Sequence, residues 1–365
     1  MKILLLGGTG TLSKAVLFEA LKHNYTVTIL NRGIHNDNIP SDVRCVKGDF
    51  FDTTTWQDKI CSEKFDIVVD FLSRKASDIE RTYPIFMDIC KQYIFISSAC
   101  VYRRAKKDFP IKETSCKPNK DWSYNIEKYE CELMLRKLAE KASSYFTIIR
   151  PYITYNDERI PLGIAPAYKY HKTLIERIKS GKPWFVWDDG NAVSTVTYAD
   201  DFAVGVVGLF LNEKAKGEDF HITGDFSYTQ NEIVEMLFSK LKKPLNVIRI
   251  SSEELYSILP EYKEMLIGDR ALDAKFDNSK IKSAVPNLKF NTSLSEGLDK
   301  VLAHFEKCTP LYDYQFEARI DRLIDKCGTK VSFVRYYNSN RDAKAIYFLF
   351  RYLPIKIALR LRRWI

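Results

Sequence analysis

The sequence lacks the features by which metal-binding and membrane-spanning chains are usually recognised. Its eight cysteines include no Cys-x-x-Cys pair and no His/Cys cluster with zinc-finger spacing, so we expect no metal site. It has no run of about 18 uncharged apolar residues, which disfavours a membrane-spanning helix, and its first apolar run is too short for a signal peptide. Scattered cysteines of this kind are typical of buried thiols, so we expect a cytoplasmic protein.

Net positive charge is scarce outside the C-terminal end of the chain. The net charge is +9, and eight of these charges fall in residues 330–365, which carry nine Lys or Arg and one Asp. The rest of the chain is therefore almost neutral. This distribution argues against a globally basic nucleic-acid binder, and we expect no nucleic-acid partner.

The chain opens with a strand–turn–helix pattern. The apolar run Ile3–Leu6 is typical of a buried parallel strand, and it leads through Gly7-x-x-Gly10-x-x-Ser13 into helical spacing. Gly7 permits a tight turn, Gly10 lets backbone approach a pyrophosphate, and the helix N-terminus offers N–H groups to it. Ser13 stands where Gly or Ala is usual. The pattern predicts a dinucleotide site, to which we assign Gly7, Thr9, Gly10, Thr11 and Leu12.

Further apolar runs alternate with helical spacing, which is typical of a doubly wound parallel sheet. The second predicted strand, Thr26–Leu30, ends in Asn31-Arg32, where an NAD site usually carries an acid. Without that acid a 2′-phosphate is not repelled, and Arg32 can pair with it. This favours NADP(H) over NAD, the alternative being a solvated arginine in a turn. At the ends of later strands we assign Asp49, Phe71 and Ser97 to the same NAD(P) site.

Tyr124 and Lys128 lie at the start of a predicted helix and share one face because they are four residues apart. A neighbouring ammonium lowers the pKa of a tyrosine, as an acid/base catalyst near neutral pH requires. The spacing alone is common on surface helices. Combined with the glycine turn and with Ser98 at the end of the fifth predicted strand, it becomes far more selective.

These motifs together resemble the extended short-chain dehydrogenases/reductases, the NAD-dependent epimerase/dehydratase class. Residues 97–102 resemble its Ser-Ser-Ala-x-Val-Tyr segment, and Arg150-Pro151 resembles the Arg-Pro that closes the nucleotide domain. The resemblance implies that Ser98 contacts a substrate hydroxyl, that Tyr124 is the acid/base, and that Lys128 binds the nicotinamide ribose and tunes Tyr124. It covers about residues 1–305 and reaches a less characterised branch related to chloroplast stem-loop RNA-binding proteins.

The resemblance also implies a nucleotide-activated sugar as substrate and hydride transfer at a sugar carbon, as in an epimerase or a 4-ketoreductase that serves polysaccharide biosynthesis. Sugar 4,6-dehydratases carry an Asp-Glu pair where this chain has Ala99-Cys100, which disfavours dehydration. The alternative is a non-catalytic or RNA-associated binding protein on the same fold.

We therefore expect an α/β, Rossmann-type doubly wound sheet with a smaller C-terminal substrate lobe and an extra basic helical tail. The predicted core is 1–150 with 191–225 returning to it, the lobe is 151–190 with 226–307, and the extension is 308–365. Residues 343–365 are amphipathic, basic and aromatic. This composition fits peripheral contact with the inner face of a membrane, or packing on the lobe or on a second subunit in a homodimer. Candidate lobe contacts for a nucleotide diphosphate or its base, each with core packing as the alternative, are Tyr155, Arg159, His171 and Trp187.

Overall fold

The computed structural model describes residues 1–105 and 109–364. Its strands are β1 (Lys2–Leu6), β2 (Thr26–Asn31), β3 (Arg44–Lys47), β4 (Phe65–Asp70), β5 (Cys90–Ile96), β6 (Tyr145–Pro151), β7 (Thr154–Tyr155), β8 (Trp184–Trp187), β9 (Val193–Thr195), β10 (Thr197–Tyr198), β11 (Asp219–Ile222), β12 (Ser227–Thr229) and β13 (Val247–Ile250). Its α-helices are α1 (Thr11–Lys22), α2 (Gln57–Ile60), α3 (Ala76–Phe86), α4 (Ser123–Ala139), α5 (Lys172–Lys179), α6 (Ala199–Gly208), α7 (Gln230–Lys240), α8 (Ser252–Ile258), α9 (Lys263–Met265), α10 (Ser279–Ala284), α11 (Leu294–Lys307), α12 (Tyr314–Lys326), α13 (Ala343–Tyr352) and α14 (Ile355–Leu361).

A parallel sheet of seven strands, in the order β11-β6-β5-β4-β1-β2-β3, is the centre of the first of two compact units. This unit comprises residues 1–154, 195–227 and 274–292. Leu6 of β1 pairs with Leu30 of β2 on one side and with Asp70 of β4 on the other. The carboxyl ends of the central strands therefore meet at one edge, where ligands bind in doubly wound folds. The predicted fold class is confirmed.

Helices cover both faces of this sheet. On one face, α1 and α6 bury a mostly aliphatic cluster that includes Val16, Ala203 and Ile222. On the other, α3 and α4 bury a cluster richer in aromatic rings, among them Trp56 and Tyr83. Because both faces are buried, the central strands are apolar runs rather than alternating patterns.

Two local expectations differ from the structure. The spacing of residues 77–91 predicts a single helix, but α3 ends at Phe86, because Cys90 already begins β5 beside β4. Residues 191–225 are predicted to return to the core with 193–198 in the sheet, but of this segment only β11 joins the sheet, alongside β6. The short strands β9 and β10 pair instead with β12 and β7 in separate two-stranded sheets.

The second compact unit comprises residues 155–194, 228–273 and 293–365. It contains the parallel pair of β8 and β13 together with α5, α7 to α9 and α11 to α14. Residues 308–365, predicted to be a separate extension, belong to this second unit. Residues 274–292, predicted to be part of the lobe, belong to the first unit. Tyr314, Tyr336, Tyr347 and Phe350 form a small buried core of the extension. Among the described helices, none is long and apolar enough to cross a membrane.

A buried ion cluster connects α5, and the turn that follows it, to α12. The Arg177 guanidinium lies 2.6 Å from the Asp321 carboxylate and 3.0 Å from that of Glu317. The Lys182 ammonium contacts both carboxylates, at 2.6 Å from Glu317. The hydroxyl of Tyr347, on α13, donates to Asp321 at 2.6 Å. The cluster thus attaches the extension to the rest of the second unit.

Candidate active site

The glycine turn after β1 has the backbone that its sequence predicts. Gly7 and Gly8 have φ angles of +117° and +120°, which L side chains rarely adopt. A Cβ on Gly8 would lie 2.8 Å from the Ile29 side chain, so that position is closed to any larger residue. Gly10 precedes α1 in an extended conformation. A Cβ there would meet no protein atom closer than Ser13 Oγ at 3.6 Å, which leaves its outer side open to a ligand.

Ser13 has a defined task at the position where glycine or alanine was expected. Its hydroxyl accepts a hydrogen bond from the Gly10 N–H at 3.1 Å and is 3.3 Å from the Gly10 carbonyl. The side chain is buried and ties the turn to the first turn of α1. No acid lies in that first turn, so the helix N-terminus keeps its affinity for an anion. Thr9, Thr11 and Leu12 are partly exposed around the same turn.

The end of β2 carries Asn31 and Arg32. The side-chain Oδ1 of Asn31 accepts the Gly33 N–H at 2.8 Å, and its side-chain amide donates to Oδ1 of Asn36 at 2.8 Å. Asn31 therefore shapes the loop, and its side chain is already engaged. Arg32 is exposed, and within residues 1–105 and 109–364 its guanidinium makes no ion pair. The β2 end thus presents a positive charge where NAD sites usually carry a carboxylate.

Asp49 and Phe71 lie beyond the ends of β3 and β4. The Asp49 carboxylate is exposed and accepts the Phe51 N–H at 3.0 Å. Phe71 is half-buried next to the glycine turn, since a Cβ on Gly7 would lie 3.7 Å from it. Phe71 is therefore placed beside the predicted phosphate turn, while Asp49 also stabilises its own loop.

Ser97 and Ser98, after β5, have different surroundings. The Ser97 hydroxyl donates to the buried Glu132 carboxylate at 2.6 Å, and its N–H donates to the Ile149 carbonyl at 2.7 Å, which leaves the Ser97 carbonyl for a cofactor. The Ser98 hydroxyl accepts the Cys100 N–H at 3.2 Å and still has its own proton to donate. Both side chains are buried.

Helix α4 carries Tyr124 in its first turn and Lys128 one turn later. The Tyr124 ring is half-buried and packs on Trp122, with ring centroids 4.9 Å apart. The Lys128 ammonium is buried and donates to the carbonyls of Ser73 at 2.8 Å and Ile96 at 2.9 Å. Burial lowers the pKa of Lys128. These carbonyls lie at the ends of β4 and β5, so Lys128 is fixed at the ligand-binding edge of the sheet.

Two features of this site escaped sequence reasoning. Asp70, the last residue of β4, accepts the N–H groups of Leu72 at 2.8 Å and Ser73 at 3.0 Å, and so directs the Ser73 carbonyl toward Lys128. Glu132 binds Arg150 through two hydrogen bonds, at 2.8 and 2.7 Å, and thereby fixes α4 on β6. An acid at a strand end was a usable signal for Asp70, whereas no spacing rule pairs Glu132 with Arg150.

Buried polar atoms without partners lie close to these residues in the chain. Among the described residues, the Ser73 hydroxyl and both polar atoms of the Asn125 side chain are buried and make no hydrogen bond. Ser73 supplies a carbonyl to Lys128, and Asn125 follows Tyr124. Leaving such groups unpaired costs about 1–3 kcal/mol each, so they are candidates for hydrogen bonds to a bound ligand.

The four candidate substrate contacts of the lobe lie in the second unit, and three of them are buried in its core whereas one is partly exposed. His171 accepts the Ile160 N–H at 2.9 Å and lies 3.1 Å from the Pro166 carbonyl, while burial lowers its pKa to about 3. Tyr155 packs on Gly297, and Trp187 donates to the Arg270 carbonyl at 3.1 Å. These three side chains are core residues. Arg159 is partly exposed and stacks 4.6 Å from the Tyr168 ring.

No metal centre emerges from the part of the chain that the structure describes, since it holds no suitable group of three or more His, Cys, Asp or Glu. The cysteines are free thiols. The strand order, the glycine turn and the Tyr124–Lys128 helix together define the class of doubly wound dinucleotide-binding folds. The family model described as the NAD dependent epimerase/dehydratase family matches residues 3–223, and the chain belongs to this family.

Similar proteins include a chloroplast stem-loop binding protein of 41 kDa b from Arabidopsis thaliana, 27% identical over 239 residues. The match covers 61% of this chain and 59% of that protein, which is less than two thirds of its length.

Solved structures share the fold at low identity. The UDP-glucuronic acid 4-epimerase of Bacillus cereus, in complex with UDP-glucuronic acid and NAD, has a TM-score of 0.68 and 19% identity over 84% of this chain and 99% of its own. The dTDP-glucose 4,6-dehydratase of Bacillus anthracis, in complex with NAD, has a TM-score of 0.64 and 16% identity over 84% of this chain and 97% of its own. Because epimerase and dehydratase fit about equally well, the fold by itself leaves the reaction open.

Proposed function

We propose that this protein is an NAD(P)-dependent enzyme that acts on a nucleotide-activated sugar, as an epimerase or a 4-ketoreductase. The observation that carries the proposal is the attachment of Lys128 to the Ser73 and Ile96 carbonyls, one helical turn beyond Tyr124. This contact holds the predicted catalytic helix at the sheet edge that also carries the glycine turn. The known epimerase and dehydratase folds with bound NAD support the choice of cofactor class.

A bound nicotinamide supplies hydride acceptance and return at a sugar carbon. In this proposal Tyr124 removes or returns the proton of the reacting sugar hydroxyl, and the Ser98 hydroxyl orients that hydroxyl. Lys128 donates to the nicotinamide ribose with the ammonium hydrogen that its two carbonyl partners leave over, and its charge favours the phenolate of Tyr124. Gly7, Thr9, Gly10, Thr11 and Leu12 hold the pyrophosphate.

Two finer proposals concern the ends of the cofactor. Arg32 is exposed at the β2 end, where Asn31 replaces the usual acid, so NADP(H) is favoured over NAD. Asp49, Phe71 and the Ser97 backbone complete the site around the adenosine and the nicotinamide. Mass spectrometry of the purified protein checks this: tightly retained NAD⁺ indicates an epimerase, and exchangeable NADPH indicates a reductase.

Two arginines of the second unit are proposed to bind the substrate diphosphate. Arg159 is partly exposed and stacks on the Tyr168 ring, and Arg270 is nearly buried and lies 3.0 Å from the Asp269 carboxylate. Guanidinium groups pair well with phosphate oxygens.

The two residues after Ser98 bear on the type of reaction. Ala99 and Cys100 are buried and offer no carboxylate, which supports excluding 4,6-dehydration. A role in polysaccharide biosynthesis stays a prediction.

The decisive experiment is Tyr124→Phe, assayed with UDP-glucose and UDP-glucuronic acid as probes. We expect turnover to fall by about 10²–10⁴-fold while cofactor is retained, because only proton transfer is removed. Tyr129→Phe, on the same helix, is the matched control and should keep activity. Full turnover in Tyr124→Phe would remove the catalytic assignment.

The similarity to the Arabidopsis protein keeps an RNA-associated role as a second candidate. Salt-sensitive binding of stem-loop RNA, together with no turnover of any nucleotide sugar, would favour that role over the enzyme.

A further inference from the structure

The chain ends in two parallel strips of exposed side chains on α14 and the 3₁₀ turn after it, Arg362–Trp364. Ile357, Leu361 and Trp364 form the apolar strip and are 49%, 41% and 86% exposed. Lys356, Arg360 and Arg363 form the cationic strip and are also exposed. Each strip repeats at i, i+4 and i+7, so its members share one side of the helix. We call these six residues the terminal patch.

The terminal patch is presented outward by a packed support. Ala358, on the remaining side of α14, is buried in the extension's core beside Tyr347 and Phe350. Arg362, which would interrupt the two strips, turns back and donates to Gln315 of α12 at 2.5 Å. Arg322 of α12 donates to the Leu353 carbonyl at 3.0 Å, just before α14. Helix α14 is therefore attached to the extension's core through Ala358, and the six side chains of the terminal patch are exposed to solvent.

The chain segment that carries the patch has a large excess of positive charge. In residues 330–364 the only acid is Asp342, and nine Lys or Arg accompany it. Among these nine, Arg351 is buried against Asp325, whereas the patch cations make no ion pair within the described residues. Three exposed apolar side chains next to three cations is the composition of helices that lie in the interface of an anionic bilayer.

We propose that the terminal patch docks the protein on an anionic membrane surface, with Ile357, Leu361 and Trp364 entering the headgroup region and the cations facing lipid phosphates. A second copy of the chain fits the patch poorly, because a two-fold contact would bring two cationic strips together. Nucleic acid explains the cations but not the aliphatic side chains, since base stacking requires aromatic rings. An anionic lipid surface accounts for both strips.

The test uses the full-length protein with phosphatidylcholine vesicles and with vesicles that also contain phosphatidylglycerol. We expect sedimentation with the anionic vesicles only, weakened by added salt. Trp364 is 86% exposed, whereas Trp56, Trp184 and Trp187 are buried and Trp122 is half-buried. The emission of Trp364 should therefore shift to shorter wavelength on binding, and Trp364→Phe should abolish the shift.

Three variants separate the two strips. Removing the charges of Lys356, Arg360 and Arg363 together, each changed to Gln, should weaken vesicle binding on the order of 100-fold, at about fivefold per cation. Trp364→Ser should weaken it about tenfold, because its ring no longer leaves water. The control changes Lys242, Lys243 and Arg249, three exposed cations elsewhere in the second unit, to Gln and should bind like the unmodified protein.

Several results would overturn the proposal. These are no binding to anionic vesicles, equal binding to neutral vesicles, or equal loss in the Lys242/Lys243/Arg249 control. A patch variant that changes the sedimentation mass of the protein in solution would assign the patch to self-association. Selective loss of RNA binding with vesicle binding unchanged would assign it to nucleic acid. Sugar turnover plays no part in these readouts, so the proposed enzyme function is tested separately.

Discussion

The two compact units each bury a cluster of charges, but the clusters hold different things together. In the first unit Arg150 is the buried cation and lies between Glu132 and Asp219, with the Tyr102 hydroxyl 2.7 Å away. Asp219 is also paired with the partly solvated Arg136 at 3.1 Å. All of these residues lie within the family-matched segment 3–223. In the second unit two cations, Arg177 and Lys182, face two acids of α12, Glu317 and Asp321, which lie outside that segment.

The comparison shows that buried ion pairs stabilise both the fold shared with the family and the extension, residues 308–365. The Arg150 cluster fixes α4, and with it Tyr124 and Lys128, on the sheet. The second cluster attaches residues that the family pattern does not contain. In both clusters burial disfavours charge, yet the partners outweigh it: they raise the pKa of Arg150 and lower that of Asp321. Removing one member leaves an uncompensated buried charge, which costs more than the intact pair contributes.

The largest effect is expected in the first unit. Arg150→Met should lower the free energy of unfolding by about 3–5 kcal/mol, because Glu132 is left buried without its cation. Adding Glu132→Leu should recover part of that loss. Urea denaturation of the single and double variants measures both, and a single-variant loss below about 1 kcal/mol would contradict this account of the cluster.

A smaller loss is expected in the second unit. Asp321→Asn should cost about 3 kcal/mol, at the low end for a broken buried pair, because Glu317 still faces both cations. Asp325→Asn is the matched control: Asp325 is about a quarter exposed, and its loss should be smaller. If both variants lose the same stability, the buried cluster is no more important than a partly solvated pair.

The comparison extends to pH through one buried histidine in each unit. Burial lowers the pKa of His221 to about 4 and that of His171 to about 3, whereas the unfolded chain titrates near 6.5. Below about pH 6.5 the unfolded state therefore binds more protons than the folded state. The free energy of unfolding should fall as the pH is lowered, by about 1.4 kcal/mol per pH unit for each histidine. Equilibrium unfolding from pH 7 to 5 measures this slope. In His171→Gln the new side chain can still accept from the Ile160 N–H, but one titrating group is lost. The slope should therefore decrease by about 1.4 kcal/mol per pH unit, and an unchanged slope would exclude His171 as its source.

The smallest loss of stability is expected at Ser13, in the glycine turn and outside both ion clusters. Ser13→Ala removes the acceptor of the Gly10 N–H at the start of α1 and should cost about 1 kcal/mol. Ser62→Ala, at an exposed position, should be neutral in the same thermal denaturation experiment. Equal stability of both variants would mean that Ser13 does not support the glycine turn.

Much of the first unit could be predicted from sequence because its signals are local. The apolar runs gave the strands, and Gly7, Ser98, Tyr124 and Lys128 each stood at a recognisable place in a strand–turn–helix pattern. The contacts that support them could not be predicted. Lys128 is held by backbone carbonyls, which every residue possesses, and the partner of Arg177 is Asp321, 144 residues away. The site assignments themselves stay predictions until cofactor and activity are measured.

The ion cluster of the second unit also sets an order of events during synthesis. Arg177 and Lys182 leave the ribosome well before Glu317 and Asp321, and Tyr347, whose hydroxyl completes the cluster, follows Asp321 by a further 26 residues. Until then these cations have no counter-charge to enter the interior with, and they stay hydrated. A chain that is stalled or cut before Glu317 would therefore present these unpaired cations to chaperones and proteases, although all seven strands of the central sheet are already made.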